Sequence, residues 1–119
     1  MTFEKVREAA LKLPDVEETS AYGLTGFRVK KKLFMVFREQ YDAVVFRASF
    51  DKRDAMIEED PETFFTNDHY RNYPWVLGHL KKLRAPVLKG LLQMAFKDAL
   101  AEAMRKGGQR GVSRESRNR

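Results

Sequence analysis

The sequence predicts an α+β fold, with helices gathered on one face of an antiparallel sheet. Three observations predict it. Apolar residues recur at helical spacing near both ends of the chain, over residues 3–13 and 86–103. Between them lie short runs rich in β-branched and aromatic residues, at 27–30, 33–37, 43–48 and 75–80. Strands and helices come in groups rather than in strict alternation, in the order α-β-β-β-α-β-β-α, which suits a helical layer on an antiparallel sheet.

Each element has its own reason. Phe3, Val6, Ala10 and Leu13 form one helical face, opposed by Glu4, Arg7, Glu8 and Lys12. Thr2 is the expected N-cap, and Pro14 pushes its predecessor out of helical geometry. Residues 15–26 read as a connection, acidic at Glu17-Glu18 and marked by Gly23 and Gly26. Phe27 and Val29 alternate with Arg28 and Lys30, the pattern of a half-buried strand. Lys30-Lys31-Lys32 falls at a hairpin tip. Residues 33–37 are apolar at every position, so that strand is covered on both sides or lies at an interface. After a polar turn over 38–42, residues 43–48 make a third strand.

Asp51 is the expected N-cap of a short helix ending at Asp60-Pro61, with Ala55, Met56 and Ile57 facing inward. Phe64-Phe65 adds a short strand, and residues 75–80 a longer one that Pro74 can open but not occupy. Pro86 suits the first turn of the last helix. Its stripe is Val87, Leu88, Leu91, Leu92, Ala95, Ala99 and Ala103.

A chain of 119 residues makes one domain, read here as residues 1–104. Hydrophobic residues are 43% of it and aromatics 12%, enough for a core without staples. Cysteine is absent, which excludes disulfides, thiolate ligands and a cysteine nucleophile. No apolar run reaches the roughly 18 residues of a membrane span, and the charged start is unlike a signal peptide. The expectation is a cytoplasmic protein without a membrane partner. The net charge of +6 is uneven. Residues 105–119 hold six basic groups against the single acid Glu115, a net of +5, and read as a disordered basic tail. The body is nearly neutral, so nucleic-acid binding has to rest on local clusters or on the tail.

The segment 64–80 concentrates Phe64, Phe65, Tyr70, Tyr73, the only tryptophan Trp75, and both histidines, His69 and His79. Phe64, Phe65 and Trp75 read as core anchors, with Trp75 opening a strand that covers the last helix. Tyr70 and Tyr73 sit among Asn67, Asp68, Arg71 and Asn72 and read as surface. Aromatic and basic residues interleaved in this way can form a stacking platform, so Tyr70, Arg71 and Tyr73 are candidate nucleic-acid contacts. The histidines find no third ligand at a recognised spacing, so neither a metal nor another cofactor is expected. His69 beside Asp68 makes no acid–base pair, since neighbours on an extended segment point apart. Catalytic residues are not identified. The basic clusters are Arg28 with Lys30, Lys31 and Lys32, and Lys81, Lys82 with Arg84. Each reads either as phosphate contact or as charge that keeps a turn soluble.

Several pieces in order resemble the MmcQ/YjbR family. They are Leu13-Pro14-Asp15-Val16-Glu17-Glu18, Tyr22-Gly23 followed by Phe27-Arg28-Val29, and Lys32-Leu33-Phe34. Asp60-Pro61 with Phe64-Phe65, His69-Tyr70 and Tyr73-Pro74-Trp75-Val76-Leu77 completes the set, over roughly residues 3–100. The resemblance implies a two-layer α/β sandwich similar to frataxin-like and secretion-chaperone-like folds. It also implies DNA binding through a double-wing arrangement. Some members carry a different segment before the tryptophan, where this chain has Tyr73-Pro74.

Two functional readings follow. The first is a non-enzymatic nucleic-acid-binding domain, with DNA as the partner, acting through the hairpin tip and the basic tail. The second is a protein-interaction or chaperone-like module acting through the sheet surface around 33–37, as a monomer or a homodimer. An enzyme ranks third, for want of a nucleophile–base pair, a phosphate loop or a metal set.

Overall fold

Thr2 starts the first helix as its residue type requires: its side-chain oxygen accepts from the Lys5 amide at 3.2 Å. The computed structural model describes the backbone of residues 1–112 and the side chains of residues 1–105. Helix α1 (Phe3–Leu11) buries Val6 and Ala10. Four strands follow in hairpin succession: β1 (Val16–Ala21), β2 (Leu24–Val29), β3 (Lys32–Arg38) and β4 (Ala43–Arg47). Then come α2 (Phe50–Glu59), β5 (Phe64–Phe65), β6 (Trp75–His79) and α3 (Ala85–Val112). Single 3-10 turns occupy Glu39–Tyr41 and Leu80–Lys82.

All six strands form one antiparallel sheet, in the order β1-β2-β3-β4-β6-β5. The fold is α+β, as expected, with one strand more than the predicted order contained. Residues 15–26 are not a plain connection: most of them form β1 and the β1–β2 hairpin. The strand lacks an apolar alternation because it is an edge strand with no fully buried side chain. Its charges pair outward instead, Glu17 with Arg28 at 2.9 Å and Glu18 with Arg7 at 3.0 Å. An edge strand carrying paired charges is also poorly suited to adding a foreign strand.

The helices lie on one face. Phe27, Val29, Phe34, Met35, Phe37, Val44, Phe46 and Val76 meet Leu88, Leu91, Leu92, Ala95 and Ala99 of α3 there. Met56 and Ile57 of α2 join that core, while Ala55 is exposed. Ser49, not Asp51, caps α2, accepting from the Lys52 amide at 3.2 Å. Serine and aspartate are equally good caps, so the choice rests on where the β4 chain leaves the sheet.

A β-bulge decides what β3 does on each face. Arg28 opposes Leu33 and Phe27 opposes Met35, so Phe34 is the extra residue. Phe34 and Met35 therefore both enter the helix-side core. Leu33 and Val36 join a second cluster on the opposite face, with Ala43, Val45, Leu77, Leu24, Phe65, Tyr70 and Trp75. The apolarity of β3 on both sides is thus met within one chain. Trp75 belongs to this second face, pairing across the ladder with Arg47, and does not cover the last helix. It is half-buried.

Helix α3 continues to Val112, past the composition change at 105. Arg105, Lys106, Gln109 and Arg110 are good helix formers that extend an already nucleated helix, against about 1 kcal/mol for each of Gly107, Gly108 and Gly111. The rest of the expected basic tail, residues 113–119, lies outside the described residues. No described helix is long and apolar enough to cross a membrane.

Candidate functional site

The helix-free face of the sheet is crossed by residues 66–74, held in place by side-chain bonds from α2 and β3 and by a turn of its own. Asn67 starts it with a tight turn: its side-chain oxygen accepts from the Tyr70 amide at 3.0 Å, and its carbonyl accepts from the Arg71 amide at 2.8 Å. Arg53 of α2 is 8% exposed and donates through Nη1 to the carbonyls of Arg71 at 2.8 Å and Tyr73 at 3.3 Å. Its Nε donates to Asp54 at 3.0 Å, and the guanidinium lies 5.0 Å from the Phe50 ring centre. A buried guanidinium is stable only when paired and hydrogen-bonded, and these bonds meet that need. The Pro74 carbonyl accepts from the Ala48 amide at 3.0 Å, which delivers the chain into β6.

Between this segment and the sheet lies an open groove of about 710 Å3. Leu24, Leu33, Val36 and Val45 form its floor. Tyr22, His69, Tyr73 and Trp75 stand around it, and Arg38, Gln40 and Tyr70 close one end. The Arg38 guanidinium donates to the Tyr70 hydroxyl and to Gln40 Oε1, each at 3.0 Å. It also lies 5.0 Å from the Tyr41 ring centre, a cation–π distance. Among the described residues, no acid lines the groove. Tyr22 is 98% exposed and Tyr73 57% exposed, both well above what a core aromatic shows.

The candidate residues read from the sequence fall into distinct settings. Lys30 and Lys31 are the two-residue β2–β3 turn, both exposed, with φ of 51° and 67°. Arg28 is tied to Glu17 across the β1–β2 ladder. Lys32 reaches Glu102 of α3 at 3.6 Å, and Arg47 pairs with the same carboxylate. Burial lowers the Arg47 guanidinium from its ordinary pKa, against the opposing pull of Asp98. Tyr70 is half-buried rather than at the surface, because Arg38 holds its hydroxyl. Tyr73 is exposed in the groove wall, while Arg71 pairs with Asp68 at 2.5 Å, in water.

Lys81, Lys82 and Arg84 lie in and just after the turn leading to α3, with Lys82 4.0 Å from Glu62. The register puts this cluster and the lysine turn at opposite ends of the sheet. Arg38, Ala43 and His79 align at one end, while Val29 and Lys32 close the other. One phosphate run at the tip therefore does not reach both. The histidines also stand in different settings: His79 stacks on Phe65 at 4.2 Å, and His69 meets Tyr70 edge-on at 4.6 Å.

Sequence reasoning missed Tyr22, Arg38 and Arg53. Tyr22-Gly23 carried a usable signal, a two-residue turn preceding a strand. Its φ values are 55° and 77°. Arg53 carried none, since an arginine in a polar helix reads as solvated until its burial is seen.

The fold and sequence have recognisable relatives. The crystal structure of Deinococcus radiodurans protein DR2400, of family-model domain DUF419, superposes with a TM-score of 0.68 at 16% sequence identity. The overlap covers 87% of this chain and 88% of that one, a likeness of fold. Among curated proteins no sequence matches this one. The YjbR family model matches residues 11–98, from the end of α1 through the first half of α3 and including every strand. The chain belongs to the YjbR family.

Proposed function

We propose that the chain is a non-enzymatic nucleic-acid-binding domain, with DNA as partner, whose β2–β3 turn contacts phosphate through Lys30 and Lys31. The observation that carries this reading is the backbone of the turn. A two-residue hairpin with positive φ at both positions strongly favours Asn-Gly, Asp-Gly or Gly-Gly. Left-handed geometry costs an ordinary residue about 1–2 kcal/mol. This chain places lysine at both positions, and φ is 51° and 67° there. Strain kept at an exposed tip points to a use for the side chains.

Charge bookkeeping narrows the choice further. Of Arg28 and the three turn lysines, Arg28 and Lys32 are spent on Glu17 and Glu102. Lys30 and Lys31 form no ion pair among the described residues and stand in water. Lys81, Lys82 and Arg84 act as a separate contact at the far end, and Arg114, Arg117 and Arg119 add sequence-blind attraction. A homodimer through residues 33–37 has less to recommend it, because Phe34, Met35, Val36 and Phe37 are already covered by their own chain.

The test is affinity for a generic DNA duplex at several salt concentrations, for the parent and for Lys30→Glu/Lys31→Glu. The variant should bind more weakly, with a log K against log salt slope flatter by about 2, one unit for each lost phosphate contact. Equal affinity and slope in the two proteins would rule the tip out.

A further inference from the structure

We infer that the groove on the helix-free face seats unpaired bases, so that the domain holds single-stranded nucleic acid more tightly than duplex; this rests on the nucleic-acid reading above. The groove has three properties that such a strand needs and a protein core does not. It presents aromatic faces to water, at Tyr22 and Tyr73. It has an apolar floor, at Leu24, Leu33, Val36 and Val45. It carries cationic groups without lining acids, with Arg38 at one end and the lysine turn just beyond Leu33 at the other. Its volume of about 710 Å3 is within the usual range of ligand clefts.

The geometry is held before any ligand arrives. Arg53 fixes the Tyr73 carbonyl, and Trp75 follows in β6 with its amide donating to Tyr73 at 2.8 Å. The Tyr22 backbone is held on the other rim in a turn whose φ of 55° is costly for tyrosine. An asparagine would hold that turn more cheaply, and an aromatic ring wholly in water contributes nothing to the core. A backbone held in this way sets both rings at the rim of the groove before a base arrives, which lowers the ordering cost of stacking. Base faces are hidden in a duplex and open in a single strand, which sets the preference. Phosphates flanking the seated bases would meet Arg38 at one end and Lys31 at the other. Seven positions along the chain separate Lys31 from Arg38, roughly 23 Å of strand.

The absence of acids among the described lining residues also disfavours a basic peptide as occupant. An acidic peptide would satisfy the charges, yet it would leave the two rim tyrosines without a planar partner. Charge and aromatic faces together select the nucleic acid.

Trp75, the only tryptophan, lies in the groove wall and serves as the reporter. The full chain is titrated with oligothymidylate of roughly 12 nucleotides, inside the span of known single-strand sites, and with a duplex of equal length. Single strand should quench Trp75 saturably and bind more tightly than duplex. Tyr73→Ala should weaken single-strand binding by about tenfold, with duplex affinity and melting temperature unchanged. Tyr73→Phe, which keeps the ring, should bind like the parent. If duplex binds through the lysine turn while single strand binds no better and ignores Tyr73→Ala, the groove inference fails and the tip reading stands. If single strand quenches Trp75 but no duplex binds, the groove stands and the tip reading falls. Quenching by an acidic peptide and not by the oligonucleotide overturns the inference.

Discussion

Arg38 donates to the Tyr70 hydroxyl at 3.0 Å, joining the end of β3 to a residue 32 positions later in the segment that crosses the helix-free face. The bond explains why a tyrosine surrounded by polar neighbours is half-buried. It also closes one end of the groove with a cation that two aromatic rings, Tyr41 and Tyr70, flank at 5.0 and 5.7 Å.

Removing that hydroxyl has a bounded effect. Tyr70→Phe keeps the ring and its packing, and Arg38 keeps its bond to Gln40. The variant should lose about 1 kcal/mol, the usual net value of one such bond. Urea unfolding, followed by far-UV circular dichroism, measures it. No loss would mean that water replaces the hydroxyl fully.

Arg53 should matter more than its polar surroundings in the sequence imply. Arg53→Met keeps the apolar stem and deletes the donor to the Arg71 and Tyr73 carbonyls. Two backbone acceptors then lose a charged partner, for a cost of about 2–3 kcal/mol. Hydrogen exchange should show faster opening confined to residues 66–74 and the start of β6. Uniform acceleration would instead place Arg53 in the global core.

The contrast between Arg53 and β3 shows what the sequence made legible. Helical spacing and caps exposed α1 and α3, and β-rich runs exposed β2, β3, β4 and β6, because each of those elements buries a patterned face. The polar edge strand β1 buries little and is held by ion pairs to Arg7 and Arg28, partners distant in sequence. The bulge at Phe34 is likewise invisible in the pattern, since it appears only as a register shift against β2. For the candidate site, residue type pointed to Lys30, Lys31, Tyr70 and Tyr73, though it put Tyr70 at the surface rather than half-buried. Tyr22 was marked only as part of the Tyr22-Gly23 turn, and Arg38 and Arg53 not at all, because their places depend on which turn or segment the fold brings against them.

Glu102 gathers two cations, Lys32 from β3 and Arg47 from β4. Glu102→Gln should cost about 1–2 kcal/mol, between the values of exposed and fully buried pairs. Arg47 is left partly desolvated, with Asp98 as its remaining counter-charge. Thermal melts at low and high salt measure the effect, and the loss should shrink as salt rises. A salt-independent loss would point to packing rather than charge. Lys32→Ala should accordingly lower stability while leaving duplex affinity nearly unchanged.

The lysine turn gives the most direct test, because its two roles move in opposite directions. In Lys30→Asn/Lys31→Gly the strained turn receives the residues its φ values favour. The measurement pairs the melting temperature with duplex DNA affinity across salt, on parent and variant. The account predicts a gain of about 1 kcal/mol or more, a rise of roughly 4–8 °C, together with weaker binding and a slope flatter by about 2. A variant that melts higher yet binds duplex DNA with the parent's affinity and salt slope would contradict it.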